Sequence, residues 1–260
     1  MIQRITIIGA GNLATHLSVE LKRAGYEILQ VYSRTEKSAK ELAAKLESDF
    51  TNSINKISKE ADLYIVALKD SAVLEVLSKI DFQNKPLIHC SGSLPLSILK
   101  SYSENIGVLY PLQTFSKNRK VNFKEIPVFV EANNQETEKL LIKLASSISP
   151  KVSVLSSDKR KSLHIAAVFA CNFVNHFYTL AGDFLQTEDI AFEVLYPLIS
   201  ETAKKVQEMN PADAQTGPAV RFDENIINDH LKQLNNFPDH QEVYKSISKS
   251  IFKRHQEKNK

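Results

Sequence analysis

The sequence is poor in cysteine, in surplus charge and in long apolar runs, and each scarcity removes a class of protein. Cys90 and Cys171 are the two cysteines in 260 residues. No CxxC spacing occurs, so no disulfide framework and no paired-thiol metal site is expected. Both cysteines read as small buried hydrophobes. The formal net charge is +3, too little to argue for a nucleic-acid surface. Much of that surplus can sit in the last residues, "KRHQEKNK", which read as a frayed basic tail. No uninterrupted apolar run approaches the roughly 20 residues of a membrane span. The opening "MIQRITIIGAG" runs into glycines with no cleavage site and does not read as a signal peptide. The expectation is a soluble cytoplasmic protein without nucleic-acid, membrane or metal partners.

What is present is ordinary globular composition, 43% hydrophobic and 24% charged. The length suits one large domain or two ordinary ones. Up to residue 155, short apolar runs alternate with amphipathic stretches. Strands are expected over 4–8, 28–33, 63–68, 87–90, 107–110, 128–131 and 152–155. Helices are expected over 12–24, closed by Gly25, and over 36–46, 71–80 and 135–147. That alternation predicts an α/β fold, a doubly wound and mostly parallel sheet covered on both faces. After residue 155 no strand pattern remains. One long helix is expected from a cap at Ser157 or Asp158. A second is expected over 189–209 with Pro197 as a kink, then a turn-rich loop, then helices over 225–234 and 241–252. The domains are therefore placed at 1–156, nucleotide-binding, and 157–260, all-helical.

The first strand runs into Gly9-Ala10-Gly11-Asn12-Leu13-Ala14, which fits the Gly-x-Gly-x-x-Gly/Ala dinucleotide fingerprint in its required strand–turn–helix setting. Gly9 allows the tight turn, Gly11 removes a side chain from the path of a pyrophosphate, and Ala14 lets helix and strand pack closely. Asn12 and Leu13 open the helix, where free N–H groups attract phosphate. The end of the second strand selects the dinucleotide. A carboxylate there would bind the ribose of NAD; this chain has Ser33, Arg34 and Thr35. A guanidinium suits a 2′-phosphate, so NADP is the expected cofactor. Ala67 and Leu68, at the end of the 63–68 strand, are expected against the same ligand.

Turning the long helix at about 100° per residue places His164, Asn172, Asn175, His176, Thr179 and Asp183 on one stripe. The rest of its surface is apolar, so the helix is expected to be largely buried. The stripe carries His and Asn in place of Lys and Glu, which suits a wall beside a nicotinamide. His164 and His176 are candidate proton donors and Asn172 a candidate for orienting a carbonyl or carboxylate. A solvated face or buried structural bonds are the alternative. "HCSGS" after the 87–90 strand adds His89 as a further catalytic candidate and Ser91 near the cofactor, with a plain turn as the alternative. "YPLQTF", Tyr110 to Phe115, is expected as a wall of the same cleft. In "TGPAVRFD", Arg221 suits a substrate carboxylate, or the Arg–Asp pair is structural or lies at a dimer contact.

"ITIIGAGNLATHL", "VYSRT", "HCSGSLPL", "YPLQTFS", "LHIAAVFACNFVNHFY" and "TGPAVRFDENIINDHLKQL" together resemble a bacterial family whose members are labelled NADP oxidoreductases. The resemblance runs over nearly the whole chain. It implies a Rossmann-like domain followed by a helical domain like the C-terminal part of 6-phosphogluconate dehydrogenase. The wider group is similar to pyrroline-5-carboxylate reductases, deazaflavin-dependent NADP oxidoreductases and β-hydroxyacid dehydrogenases. That implies a homodimer through the helical domain and a small-molecule site between domains. The β-hydroxyacid dehydrogenases carry a catalytic lysine one turn before an asparagine; Val168 and Cys171 stand in the corresponding places here. The expected function is hydride transfer between NADP(H) and a small carbonyl or imine. The alternative is an NADP(H)-binding sensor or scaffold without turnover.

Overall fold

The computed structural model describes residues 2–258. Its sheet has eight strands: β1 (Arg4–Ile8), β2 (Glu27–Tyr32), β3 (Asp49–Thr51), β4 (Leu63–Val66), β5 (Leu87–His89), β6 (Ile106–Pro111), β7 (Val128–Ala132) and β8 (Val152–Val154). They lie in the order β3-β2-β1-β4-β5-β6-β7-β8. Every neighbouring pair is parallel except β6 with β7. The connecting helices are α1 (Asn12–Arg23), α2 (Glu36–Leu46), α3 (Asp70–Leu77) and α4 (Gln135–Ser146). β1 and β4 are apolar on both faces. Ile5, Ile7, Leu63 and Ile65 share one core with Leu17, Leu21 and Leu141. Ile8, Tyr64 and Val66 share the opposite core with Val73, Leu77 and Phe82. Side chains alternate along a strand, so this double apolar face requires helices on both sides.

The chain leaves β1 toward β2 and β3, then returns to place β4 on the other flank of β1. That reversal opens a crevice at the carboxyl ends of β1 and β4, where open α/β sheets bind ligands. Gly25 closes α1 at φ +93°. Thr35 is the N-cap residue of α2, and the Asn134 side chain caps α4 by accepting the Thr137 N–H.

From Ser157 the chain is helical: α5 (Ser157–Ala167), a π-helical segment (Val168–Phe173) and α6 (Val174–Thr187). Ser156 is the N-cap residue, one earlier than expected and without a side-chain cap bond, and the Ser157 hydroxyl bonds Glu131 instead. The helix expected from residue 189 begins at Tyr196. A 3-10 turn (Phe192–Leu195) precedes α7 (Tyr196–Glu208). Pro197 sits in the first turn of α7, where its missing N–H costs nothing, and is not a kink. Then come α8 (Pro211–Ala214), α9 (Pro218–Arg221), α10 (Glu224–Gln233) and α11 (Pro238–Lys258). The basic tail is helical through Lys258; Asn259 and Lys260 lie outside the described residues.

The chain divides into two compact units, one up to Asn172 and one from Phe173 on. In the second, Ala219, Ile227 and Ser248 are the buried residues among those described. The long helix is not buried within the chain, contrary to expectation. Ile165, Phe169, Phe173 and Phe177 are exposed, and no residue of its most apolar window is buried. That window has mean hydropathy 1.2, so the 31-residue Ser157–Thr187 helix has the length and composition of a membrane span. Counting uninterrupted apolar residues had excluded this, because His and Asn break the run.

Candidate active site

At the β1–α1 turn, Gly9 has φ +125°, and a Cβ there would lie 2.3 Å from the Ala67 carbonyl oxygen. Both the backbone conformation and the approach of β4 require glycine. Gly11 differs. Its φ is −79°, which any residue adopts, and a Cβ there would meet nothing within 4 Å. Nothing in the fold forbids a side chain at Gly11; the space in front of it is open. The Gly11 cap offers no side-chain acceptor, so the first N–H groups of α1 have no partner from that cap. A cleft of about 390 Å³ opens here, lined by Gly11, Asn12 and Leu13 from α1, Ala67, Leu68 and Lys69 after β4, and Cys90 and Ser91 after β5. The Cys90 thiol is buried, which pushes its pKa up to about 12 and keeps it protonated. Ser33, Arg34 and Thr35 follow β2, the strand beside β1, with the Ser33 N–H bonded to the Thr51 carbonyl at 3.2 Å. Arg34 is exposed.

The carboxyl ends of β5 and β6 hold a second group of residues. His89 is buried, and its Nδ1 accepts the Ser91 N–H at 3.1 Å. Its Nε2 makes no well-formed hydrogen bond; the Pro95 backbone is the acceptor that acts on it. Burial, aided by the Arg160 charge, lowers its pKa to about 4, so the ring is neutral at pH 7. The Ser91 hydroxyl accepts the N–H groups of Ser93 and Leu94 and shapes the turn. Tyr110, at the end of β6, meets His164 on α5: its hydroxyl lies 3.1 Å from the imidazole Nδ1. Burial raises the Tyr110 phenol above its usual pKa. Gly92 fits between the two. A Cβ on it would lie 2.6 Å from His164 Nδ1 and 3.0 Å from Tyr110 Cζ.

Arg160, one turn before His164, holds α5 against the sheet. It is fully buried and donates to Glu131 on β7, to the Leu94 carbonyl and to Ser157 Oγ. Glu131 also accepts the Ser157 N–H at 2.9 Å and its hydroxyl at 2.8 Å. The Leu96 N–H reaches Ser157 Oγ at 2.9 Å. One ion pair, between the buried Arg160 and the half-buried Glu131, thus joins α5, β7 and the loop after "HCSGS".

A crystal structure named as a putative NADP oxidoreductase, BF3122 from Bacteroides fragilis, is 48% identical over 97% of this chain and 98% of its own, with a TM-score of 0.93. The chain belongs to this NADP oxidoreductase family. Residues 4–92 match the family described as "NADP oxidoreductase coenzyme F420-dependent", and residues 126–251 match one described as a domain of unknown function. Two more distant solved structures share the fold. A 1-pyrroline-5-carboxylate reductase from Streptococcus pyogenes is 16% identical over 96% of this chain and 98% of its own, with a TM-score of 0.62. An imine reductase from Myxococcus stipitatus, in complex with NADP+, is 16% identical over 98% of this chain and 93% of its own, with a TM-score of 0.62. No curated protein matches the chain.

Within this oxidoreductase fold, the expected cofactor residues fall in two places. Gly11, Asn12, Leu13, Ala67, Leu68 and Ser91 line one cleft, while Ser33, Arg34 and Thr35 do not line it. Asn172 and His176 are exposed. The uniform turn that aligned them with His164 does not hold, because the π segment Val168–Phe173 bonds i to i+5 and shifts the phase of every later residue. Asp223 caps α10 by accepting the Ile226 N–H, so the acidic member of the Arg221–Asp223 pair is structural. The Arg160–Glu131 pair was not legible beforehand. In "SSDKRKSLH", Arg160 is one of four charged residues, and only the sheet decides which one turns inward. The available signal was Ser157 and Arg160 at i, i+3 on the face that also carries His164.

Proposed function

We propose that this protein is an NADPH-dependent reductase of small carbonyl or imine compounds. The open space at Gly11 carries this proposal, since the protein's own packing does not ask for glycine there and a bound phosphate would. The pyrophosphate sits against the Gly11, Asn12 and Leu13 backbone, and Arg34 grips the 2′-phosphate with Ser33 and Thr35 beside it. When bound, the reduced nicotinamide supplies the hydride. The protein orients the substrate and delivers one proton, and His164 is the donor. His89, neutral and buried at pH 7, serves as a structural acceptor. We place the enzyme in the cytoplasm as a homodimer formed through the helices from Ser157 on. The exposed apolar side chains of that region support this assembly.

The test is a fluorescence titration of purified protein with NADPH and with NADH, repeated with Arg34→Ala. Tighter binding of NADPH, by at least tenfold, with the difference removed in the variant, is expected for a charge-assisted contact of about 1.5–3 kcal/mol. Absence of binding by either nucleotide refutes the oxidoreductase assignment. The second stage follows NADPH consumption with cyclic imines, small ketones and an oxidised deazaflavin as acceptors. Binding with no turnover on any of them favours a sensor or scaffold.

A further inference from the structure

We propose that Tyr110 is a positioning residue for His164: its hydroxyl anchors the imidazole at Nδ1 and leaves Nε2 as the nitrogen presented for proton transfer. This rests on the assignment of His164 as proton donor. Tyr110 ends β6 and His164 lies on α5, and the two rings meet edge to face, 6.1 Å between centroids and 76° between planes. The hydroxyl–Nδ1 distance is 3.1 Å. Gly92 leaves no room beside the two rings for a single added carbon. Arg160 fixes the preceding turn of α5 through Glu131. The His164 ring is thus held from the β5 loop, from β6 and from its own helix. Nδ1 is committed to Tyr110, and Nε2 has no hydrogen-bond partner among the described residues.

The chemistry of the pair follows from burial. The Tyr110 phenol resists ionisation. It therefore stays an O–H group, and its oxygen accepts from the Nδ1–H of the imidazolium and of the neutral ring that remains when Nε2 has lost its proton. Nδ1 is satisfied in both protonation states, so only Nε2 changes partner. In a reduction, the substrate carbon gains the hydride and its oxygen or nitrogen takes the Nε2 proton of the imidazolium; the Nδ1 proton stays on the now neutral ring, donated to the Tyr110 hydroxyl, and water then reprotonates Nε2. Tyr110 itself gives up no proton. Its contribution is the tautomer and the aim of the ring.

The test is long-range ¹H–¹⁵N NMR of the full chain with ¹⁵N-labelled histidine, recorded across neutral and alkaline pH. The His164 signals are assigned by their loss in His164→Ala. In the unsubstituted protein the neutral ring is expected as the Nδ1–H tautomer, with widely separated nitrogen shifts. In Tyr110→Phe, which keeps the aromatic packing, the two shifts are expected to draw together as the tautomers mix. Gly92→Ala, which pushes directly on Nδ1, is expected to move them as well. An Nε2–H tautomer in the unsubstituted protein overturns the proposal. So do unchanged His164 shifts in Tyr110→Phe. Neither result touches the NADPH titration, which decides the oxidoreductase assignment separately. If His164→Ala retains full turnover on a substrate that the unsubstituted enzyme reduces, the donor assignment falls and the role of Tyr110 falls with it.

Discussion

His89 shows how burial decides what a histidine can do. A histidine at the carboxyl end of a central strand suggests acid–base chemistry, but this ring is 1% exposed and its Nδ1 is used by the Ser91 N–H. Desolvation, with the Arg160 charge, lowers its pKa to about 4. The unfolded chain protonates the same group near pH 6.5. Between those values the unfolded state binds a proton that the folded state refuses, so stability falls as pH drops through that window and is flat above it. The loss by pH 4.5 is on the order of 2–3 kcal/mol. His89→Asn keeps an acceptor near Nδ1 and removes the titration. Urea unfolding at pH 7.5 and pH 4.5 should show a smaller acid loss in the variant by about that amount. Equal losses would mean that His89 takes up its proton without unfolding. His164 differs in that it is half-buried and keeps one nitrogen unbonded among the described residues, the condition a proton donor needs.

The elements through β8 were largely legible because short apolar runs can be satisfied only by a covered sheet. β1 and α2 have the bounds their patterns predict, and most of the other elements differ by one or two residues. β3 was missed because "DFT" is three residues long, two of them exposed, with no apolar alternation to read. The docking of α5 was also missed. It depends on a partner, Glu131, that is distant in sequence and chosen by the register of β7. Removing one member of a buried ion pair strands the other. Arg160→Ala should therefore cost about 3–5 kcal/mol, a fall in melting temperature on the order of 10 °C by calorimetry. Adding Glu131→Ala to that variant should return part of the loss, since the stranded carboxylate is then gone. A double variant as unstable as the sum of the singles would mean that the two side chains act independently. The π segment was illegible for a different reason. Residue types along "VFACNF" do not encode an i to i+5 bond, and a uniform helical wheel hides it.

The whole molecule presents an imbalance between its two units. The unit that carries the sheet encloses two apolar cores, whereas the unit from Phe173 on buries two apolar side chains, Ala219 and Ile227, among its described residues. Helices with so little core are stabilised mainly by packing an apolar face against something else. Leu198 is 63% exposed and Val194 60%, and the long helix adds Ile165 and Phe177. A bilayer would cover such residues, but it would also have to take up His164, Asn172, Asn175 and His176 from the same helix, at several kcal/mol. A second copy, as proposed above, would cover the apolar side chains and leave the polar ones to water or to a ligand. In a two-fold dimer each substitution counts twice. Leu198→Glu should then weaken association by about 3–6 kcal/mol, at least a hundredfold in dissociation constant. Sedimentation equilibrium should find a dimer for the unsubstituted chain and a monomer for the variant at micromolar concentration. On the proposed assembly the helices would borrow their core from the partner, so the monomeric variant should also lose helical circular dichroism on mild heating before the sheet unit melts. An unsubstituted chain that sediments as a monomer without detergent, with its helices intact, would show that the exposed face needs no second copy.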